Sequence, residues 1–395
     1  MHELKVLFQP SGRRVFVLPG TLLLEAAERA GVILQTPCGG KGTCGKCRVL
    51  IDGKDVLACC FKVEEDLVVD VPDAALFVGG QQILVTDAGR AAGVLDPPVR
   101  VVPFTLSAPT QQDDVSDYTR LQAAVGGGLR CRLGVLRQIP QALRAGGWCG
   151  VAVTTDTHIL GLLPAGSGLS VFGVAFDVGT TTVVGTLIDL VTGAERCLAS
   201  RMNGQISLGD DVIARIQRVR EEPGALAKLQ GLIVGTLQDI IDDLVAQAGI
   251  ARTDIYEVAL AGNATMQQLL LGLDCSALGE VPFVQVLSDA VTYPADIVGL
   301  QVNRGAELYV FPQIGGFVGG DTVAGIVATQ LDQQAGAMLL VDIGTNGEIV
   351  LAHNGRMYAT STAAGPAFEG ALITHGMRAA AGAIERIIIK DDVHY

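Results

Sequence analysis

Two stretches decide the reading: DVGTTTVVGTLID at residues 177–189 and DIGTNGEIVLA at residues 342–352. Each follows an apolar run, residues 172–176 in one case and 338–341 in the other, and each continues into a second apolar run. Apolar strand, Asp-x-Gly-Thr, apolar strand is the pattern of a hairpin whose turn can meet a phosphate. Glycine lets the backbone approach closely, and backbone N–H groups and threonine hydroxyls donate hydrogen bonds. A carboxylate such as that of Asp177 can hold Mg²⁺ through water, because this ion dehydrates reluctantly. One copy would be weak evidence, since Asp-Gly turns join hairpins of every kind. Two copies, 165 residues apart, are too widely spaced for a solenoid repeat and suit the halves of a duplicated domain. Opposed in this way, the turns can grip one nucleotide from both sides. No Gly-x4-Gly-Lys-Ser/Thr occurs, so the P-loop solution is excluded.

Between the two turns, GGFVGGDTVAG (residues 315–325) places Asp321 after a glycine-rich turn and ahead of an apolar helix. Asp321 is either a helix N-cap or the carboxylate that orients an attacking water in phosphoryl transfer. Asn263, in ALAGNATM, is either a turn residue or part of the nucleotide cleft. Asp210 and Asp211 read as helix caps rather than metal ligands. The five histidines show no metal spacing, and His375 reads as structural. Residues 232–245 and 267–273 carry helical apolar stripes that belong to a core. The pair of turns resembles the acetate and sugar kinase/heat-shock chaperone/actin superfamily. That resemblance makes residues 177–182 the first phosphate loop and 342–348 the second. It implies that Asp177, Gly179, Thr180, Thr181, Asp342, Gly344, Thr345 and Asn346 hold ATP with Mg²⁺, and that Asp177 and Asp321 are catalytic.

Nine cysteines are unevenly placed, five of them between Cys38 and Cys60. PCGGKGTCGKCRVLI gives Cys38-x5-Cys44-x2-Cys47, and Cys59 follows after eleven residues, beside Cys60. Four thiolates on a glycine-rich loop and the segment after it can wrap a [2Fe–2S] cluster, with backbone N–H groups stabilising its reduced state. A structural zinc site is the rival, since zinc also takes four thiolates. Buried free thiols fit poorly, because Gly39, Gly40, Gly42 and Gly45 leave little apolar surface. Cys131, Cys149, Cys197 and Cys275 are expected to be small buried hydrophobes, and an odd count without a secretory signal argues against a disulfide framework. The loop and the later Leu57-Ala58-Cys59 resemble a ferredoxin-type domain, although plant-type ferredoxins space their first two ligands one residue closer. The resemblance implies Cys38, Cys44, Cys47 and Cys59 as the ligands and leaves Cys60 as a neighbour.

The chain of 395 residues allows two or three domains. Residues 1–79 predict a small unit with strands at 5–9, 14–18, 48–51 and 67–71 and a helix at 22–30 closed by Gly31. Residues 80–97 read as a linker, and 98–170 as a middle domain with a strand near 99–106 and a helix near 116–124. Residues 171–395 form the nucleotide-binding part. The fold class is therefore α+β and α/β multidomain: a β-grasp ferredoxin-like domain, a small α+β middle domain, and an actin-like ATPase (duplicated RNase H-like) domain. The second half of the last domain starts at Met338 and offers only a hairpin, a strand near 355–361 and another at 383–390. This predicts a truncated chain that binds a cluster but binds ATP poorly.

A formal net charge of −13 argues against nucleic acid, which needs a basic face. The longest uncharged stretch, residues 157–176, holds Pro164 and four glycines, so it reads as two strands around a turn and not as a membrane helix. The opening MHELKVLFQP has no signal-peptide pattern, and a cytoplasmic protein is expected.

An electron carrier joined to an ATPase-type fold suggests that nucleotide energy drives a difficult electron transfer. The whole chain resembles the ATP-dependent reductive activators of corrinoid proteins, through GEVPFVQV (279–286), FPQIGGFVGGDT (311–322), DIGTNGEIVL (342–351) and GMRAAAGAIE (376–385). The resemblance implies that an upstream donor loads the cluster, which then reduces Co(II) to Co(I) on a partner corrinoid protein. Two alternatives remain open at this stage. One is a kinase with an attached redox domain; the other is an iron–sulfur electron-transfer protein on a non-hydrolysing nucleotide-binding scaffold.

Overall fold

The structure is a computed structural model that describes residues 3–32, 34, 42, 45–72, 75, 96–166, 168–344, 346–363, 388–389 and 393–394. The expectations for Cys38, Cys44, Thr345, His375, most of the linker and most of the strand at 383–390 lie outside these residues.

The first unit contains β1 (Leu4–Gln9), β2 (Arg13–Val17), α1 (Leu23–Arg29), β3 (Arg48–Ile51), β4 (Lys54–Leu57) and β5 (Leu67–Asp70). Its sheet runs β2-β1-β5-β3-β4, with β1 and β5 parallel. Alternation in β1 buries Val6 and Phe8, and α1 adds Leu23, Ala26 and Ala27 to the same core. Strand β4 was not foreseen. Its four residues, KDVL, are too few to show a period, and pairing with β3 creates it.

The second unit contains β6 (Arg100–Thr105), α2 (Asp117–Val125), β7 (Arg130–Cys131), α3 (Leu133–Leu136), α4 (Ile139–Ala145), β8 (Cys149–Thr154) and β9 (His158–Pro164). The sheet order is β6-β8-β9-β7. Ser116 caps α2 by accepting from the Thr119 amide.

The third unit begins with β10 (Phe172–Val178), β11 (Thr182–Asp189), β12 (Glu195–Met202), α5 (Val212–Glu221) and α6 (Ala225–Ala248). It continues with β13 (Ile255–Gly262), α7 (Ala264–Leu270), β14 (Val291–Pro294), β15 (Glu307–Val310) and α8 (Gly320–Ala328). These make a six-stranded sheet, β12-β11-β10-β13-β15-β14, in which β10, β13 and β15 are parallel. Helix α6 lies against β11 and β12 and buries Leu229, Ile233, Leu237, Ile240, Ile241 and Leu244 at helical spacing. The chain then forms β16 (Ala337–Ile343), β17 (Asn346–His353) and β18 (Arg356–Ala363), an antiparallel three-stranded sheet. The long uncharged stretch is β9, a turn and the start of β10. No described helix is long and apolar enough to cross a membrane.

The second and third units meet at the N-terminal ends of β13 and β15. Arg132 donates to the carbonyls of Gly305 (3.1 Å) and Ala306 (3.0 Å) and pairs with Glu307 (3.1 Å), which also lies 3.5 Å from His158 Nδ1. Glu257 sits across from Glu307 in the β13–β15 register. Burial, and then the Glu307 charge, push its carboxyl up to about 7. Between the ordinary carboxylate value and pH 7 the folded protein therefore holds a proton that the unfolded chain lacks, and stability falls as pH rises through that window. Glu257→Gln is expected to flatten this slope and to stabilise the protein at pH 8 by about 2 kcal/mol. Thermal unfolding at pH 5 and pH 8 checks it: an equal change in melting temperature at both would contradict this account.

Candidate functional site

Three loops converge at the C-terminal ends of the parallel strands β10, β13 and β15, the place where open α/β sheets bind ligands. The turn between β10 and β11 is held from behind. Asn203 donates to it twice, from its amide to Thr181 O (2.9 Å) and from Nδ2 to Gly179 O (2.9 Å). Arg215, wholly buried on α5, donates from Nη2 to Thr180 O (2.5 Å), from Nε to Gly209 O (2.9 Å) and from Nη1 to Gln205 Oε1 (3.0 Å). The carbonyls of Gly179, Thr180 and Thr181 are thus all tied to protein donors, so none is left to repel an anionic phosphate.

Burial pulls the Arg215 pKa down to about 9, opposed by the charges of Asp210 and Asp211. Removing this side chain strands three buried acceptors, each costing about 1–3 kcal/mol. Arg215→Ala is expected to destabilise the protein by about 3–5 kcal/mol. Urea denaturation would read it as a fall in midpoint, and a midpoint within error of the parent would exclude it.

Asn263 satisfies both of its sequence readings. Its Oδ1 caps α7 by accepting from the Met266 amide (3.0 Å), while its Nδ2 donates to Thr180 Oγ1 (3.1 Å). Asp211 caps α5 as expected, accepting from the Ala214 amide (2.7 Å).

Asp321 departs from the N-cap reading, because Gly319 holds that position and Asp321 lies within the first turn of α8. Only glycine fits there: a Cβ on Gly319 would stand 2.5 Å from Asn263 Cα and 2.6 Å from Gly262 O. This close approach sets the Asp321 loop directly against the β13–α7 junction. Asp321 Oδ1 accepts from the Thr322 amide (2.7 Å). Burial outweighs that bond and, with the charges of Asp177 and Asp342, pushes its pKa up to about 6.

The second turn, closed by Gly344 N–H donating to Asn346 O (3.2 Å), is one residue shorter than the first. The shorter turn shifts the cross-strand register. Asp177 faces Val184 across its hairpin, whereas Asp342 faces Glu348. Glu348 is buried and pushed up to about 7, by burial first and then by Asp321 and Asp342; Ser361 Oγ donates to it at 3.3 Å. Asp177 opens to the cleft, yet surrounding protein and the Asp342 charge raise its carboxyl as well. Asp177, Asp321, Asp342 and Glu348 therefore form one group of mutually repelling carboxylates drawn from both halves. Among the described residues no three such side chains stand close enough to hold a metal ion directly, so a divalent cation in this cleft would be reached through its waters.

In the first unit, Cys47 and Cys59 are buried with their sulfurs 3.3 Å apart, and Cys60 Sγ lies 3.7 Å from Cys59 Sγ. Ala58 N–H donates to Cys47 O (2.9 Å), which fixes the two segments side by side. Burial, and then the sulfurs of Cys47 and Cys60, push the Cys59 thiol up to about 12. Thiols crowded in this way become thiolates when a metal cation supplies the compensating charge, and the donor set fits one. Of the scattered cysteines, Cys275 is a buried hydrophobe as expected. Cys131, Cys149 and Cys197 are only half-buried: Cys131 and Cys197 lie on the edge strands β7 and β12, and Cys149 is the first residue of β8.

Four family models match the chain. They are a 2Fe-2S iron-sulfur cluster binding domain over residues 7–70, the RACo linker region over 88–167, the RACo middle region over 172–334, and the C-terminal domain of RACo, the ASKHA domain, over 336–395. The corrinoid activation enzyme RamQ of Eubacterium limosum is 32% identical over 97% of this chain, which spans 65% of that protein. The [Co(II) methylated amine-specific corrinoid protein] reductase of Methanosarcina barkeri is 28% identical over 54% of this chain and 40% of its own length. A solved structure of a reductive activator for a corrinoid, iron-sulfur protein covers the whole chain at 32% identity with a TM-score of 0.69, and the chain spans 69% of it.

Proposed function

Because this chain belongs to the family of reductive activators of corrinoid proteins, we propose that it couples ATP hydrolysis to the transfer of one electron onto a Co(II) corrinoid held by a partner protein, regenerating Co(I). One observation carries the reading: the paired thiols of Cys47 and Cys59 and a cleft whose carboxylates come from both Asp-x-Gly-Thr hairpins occur in one chain. Cys38, Cys44, Cys47 and Cys59 would hold a [2Fe–2S] cluster, which when bound supplies a one-electron carrier. An upstream donor would recharge it. The free thiols of the described cysteines suit the reducing cytoplasm, where we place the protein.

The residues of the cleft divide the work. Asp177, Gly179, Thr180 and Thr181 would receive the phosphates from one side, and Asp342, Gly344, Thr345 and Asn346 from the other. Asp177 and Asp342 would hold Mg²⁺ through its waters, and the ion when bound would supply positive charge that offsets their repulsion. Asp321, its pKa raised by burial to about 6, would orient the attacking water and accept its proton. Closing the two turns on ATP and releasing them after hydrolysis offers two states, and a corrinoid partner that binds one of them better is driven with it.

ATP hydrolysis by the purified protein, with and without a Co(II) corrinoid protein, tests the proposal. Stimulation supports it. Release of a phosphorylated metabolite would replace it with a kinase, and colour without hydrolysis would replace it with a passive electron carrier.

A further inference from the structure

The second thiol of the Cys59-Cys60 pair has no part in the ligand set above, yet its position is constrained. Cys60 Sγ lies 3.7 Å from Cys59 Sγ, within hydrogen-bond range for sulfur. Its residue is exposed, while Cys59 is buried. The cysteine loop makes room for it: Gly42 has a φ of +74°, and a Cβ there would stand 2.7 Å from Cys60 Sγ. The Cys60 amide donates to Leu57 O (2.9 Å), which anchors the backbone of the pair. The sulfur of Cys60 is therefore lodged between the loop at Gly42 and the sulfur of Cys59.

A cysteine bound to iron is a thiolate and has no proton to donate. Any hydrogen bond between these two sulfurs must then run from the Cys60 S–H to Cys59 Sγ. Hydrogen bonds to ligand sulfurs disperse the negative charge that reduction adds, and so they raise the reduction potential. From this geometry we infer that Cys60 is a positioning residue that tunes the cluster: its thiol donates to the Cys59 ligand and stabilises the reduced state. The inference rests on the cluster reading given above. It adds that the vicinal cysteine sets how readily the electron is held.

Redox titration of the intact protein, followed by visible absorbance, tests it with two variants. Cys60→Ala is expected to keep the cluster spectrum while its reduction equilibrium weakens by about tenfold, a shift of ~59 mV to more negative potential for one electron. Cys60→Ser, which keeps a donor, is expected to return most of that shift. An unchanged potential in Cys60→Ala would overturn the inference and leave the cluster reading intact. Loss of the spectrum in Cys60→Ala would also overturn it, by making Cys60 a ligand. A parent protein that binds zinc and shows no visible spectrum would instead refute the cluster reading itself.

Discussion

Asp321→Asn is expected to lower corrinoid-stimulated ATP hydrolysis by about 10²–10⁴-fold, the usual contribution of a positioned general base. The substitution keeps the shape of the side chain and the bond from the Thr322 amide, since the amide oxygen can accept in place of Oδ1. It removes a carboxyl whose pKa, raised to about 6, suits a general base near neutral pH, and which unlike Glu348 opens the helix beside the first turn. Nucleotide affinity should change far less, because the turns themselves are untouched. Measuring hydrolysis and equilibrium nucleotide binding on the same preparation separates the two effects. Undiminished hydrolysis would remove Asp321 from the chemistry. A parallel loss of binding would make it a structural residue of the cleft.

Cys59→Ser is expected to abolish the visible spectrum of the cluster. Cys59 is buried beside Cys47, with 3.3 Å between the sulfurs, so a serine oxygen at this position replaces a buried sulfur donor with a harder and more weakly bound one. Corrinoid reduction should vanish with the colour, while nucleotide binding in the third unit persists. A Cys59→Ser protein with its full spectrum would show that Cys60 takes the fourth position.

Much of this was legible in the sequence because its chemistry is local. The two Asp-x-Gly-Thr turns and the Cys38-x5-Cys44-x2-Cys47 run declare themselves within a few residues, since a turn that meets a phosphate needs glycine and hydroxyls side by side. The residues that escaped notice owe their roles to tertiary placement. Arg215 looks like an ordinary helix residue in VIARI, and only packing shows that it lies beneath the carbonyl of Thr180. The available signal was an arginine set between Val212, Ile213 and Ile216. Glu348 was included as the last residue of the second loop, but a one-residue difference in turn length is what swings it opposite Asp342. Asp321 shows the reverse case: its two readings could not be separated until Gly319 was seen to occupy the cap.

The most direct test of the central claim is optical. Reduced protein is mixed with a Co(II) corrinoid protein without oxygen, and the Co(I) absorption band is followed with and without Mg²⁺ and ATP. Co(I) should form only when ATP is present, in step with reoxidation of the cluster. Equal Co(I) formation without nucleotide, or hydrolysis of ATP with no change at cobalt, would contradict the account.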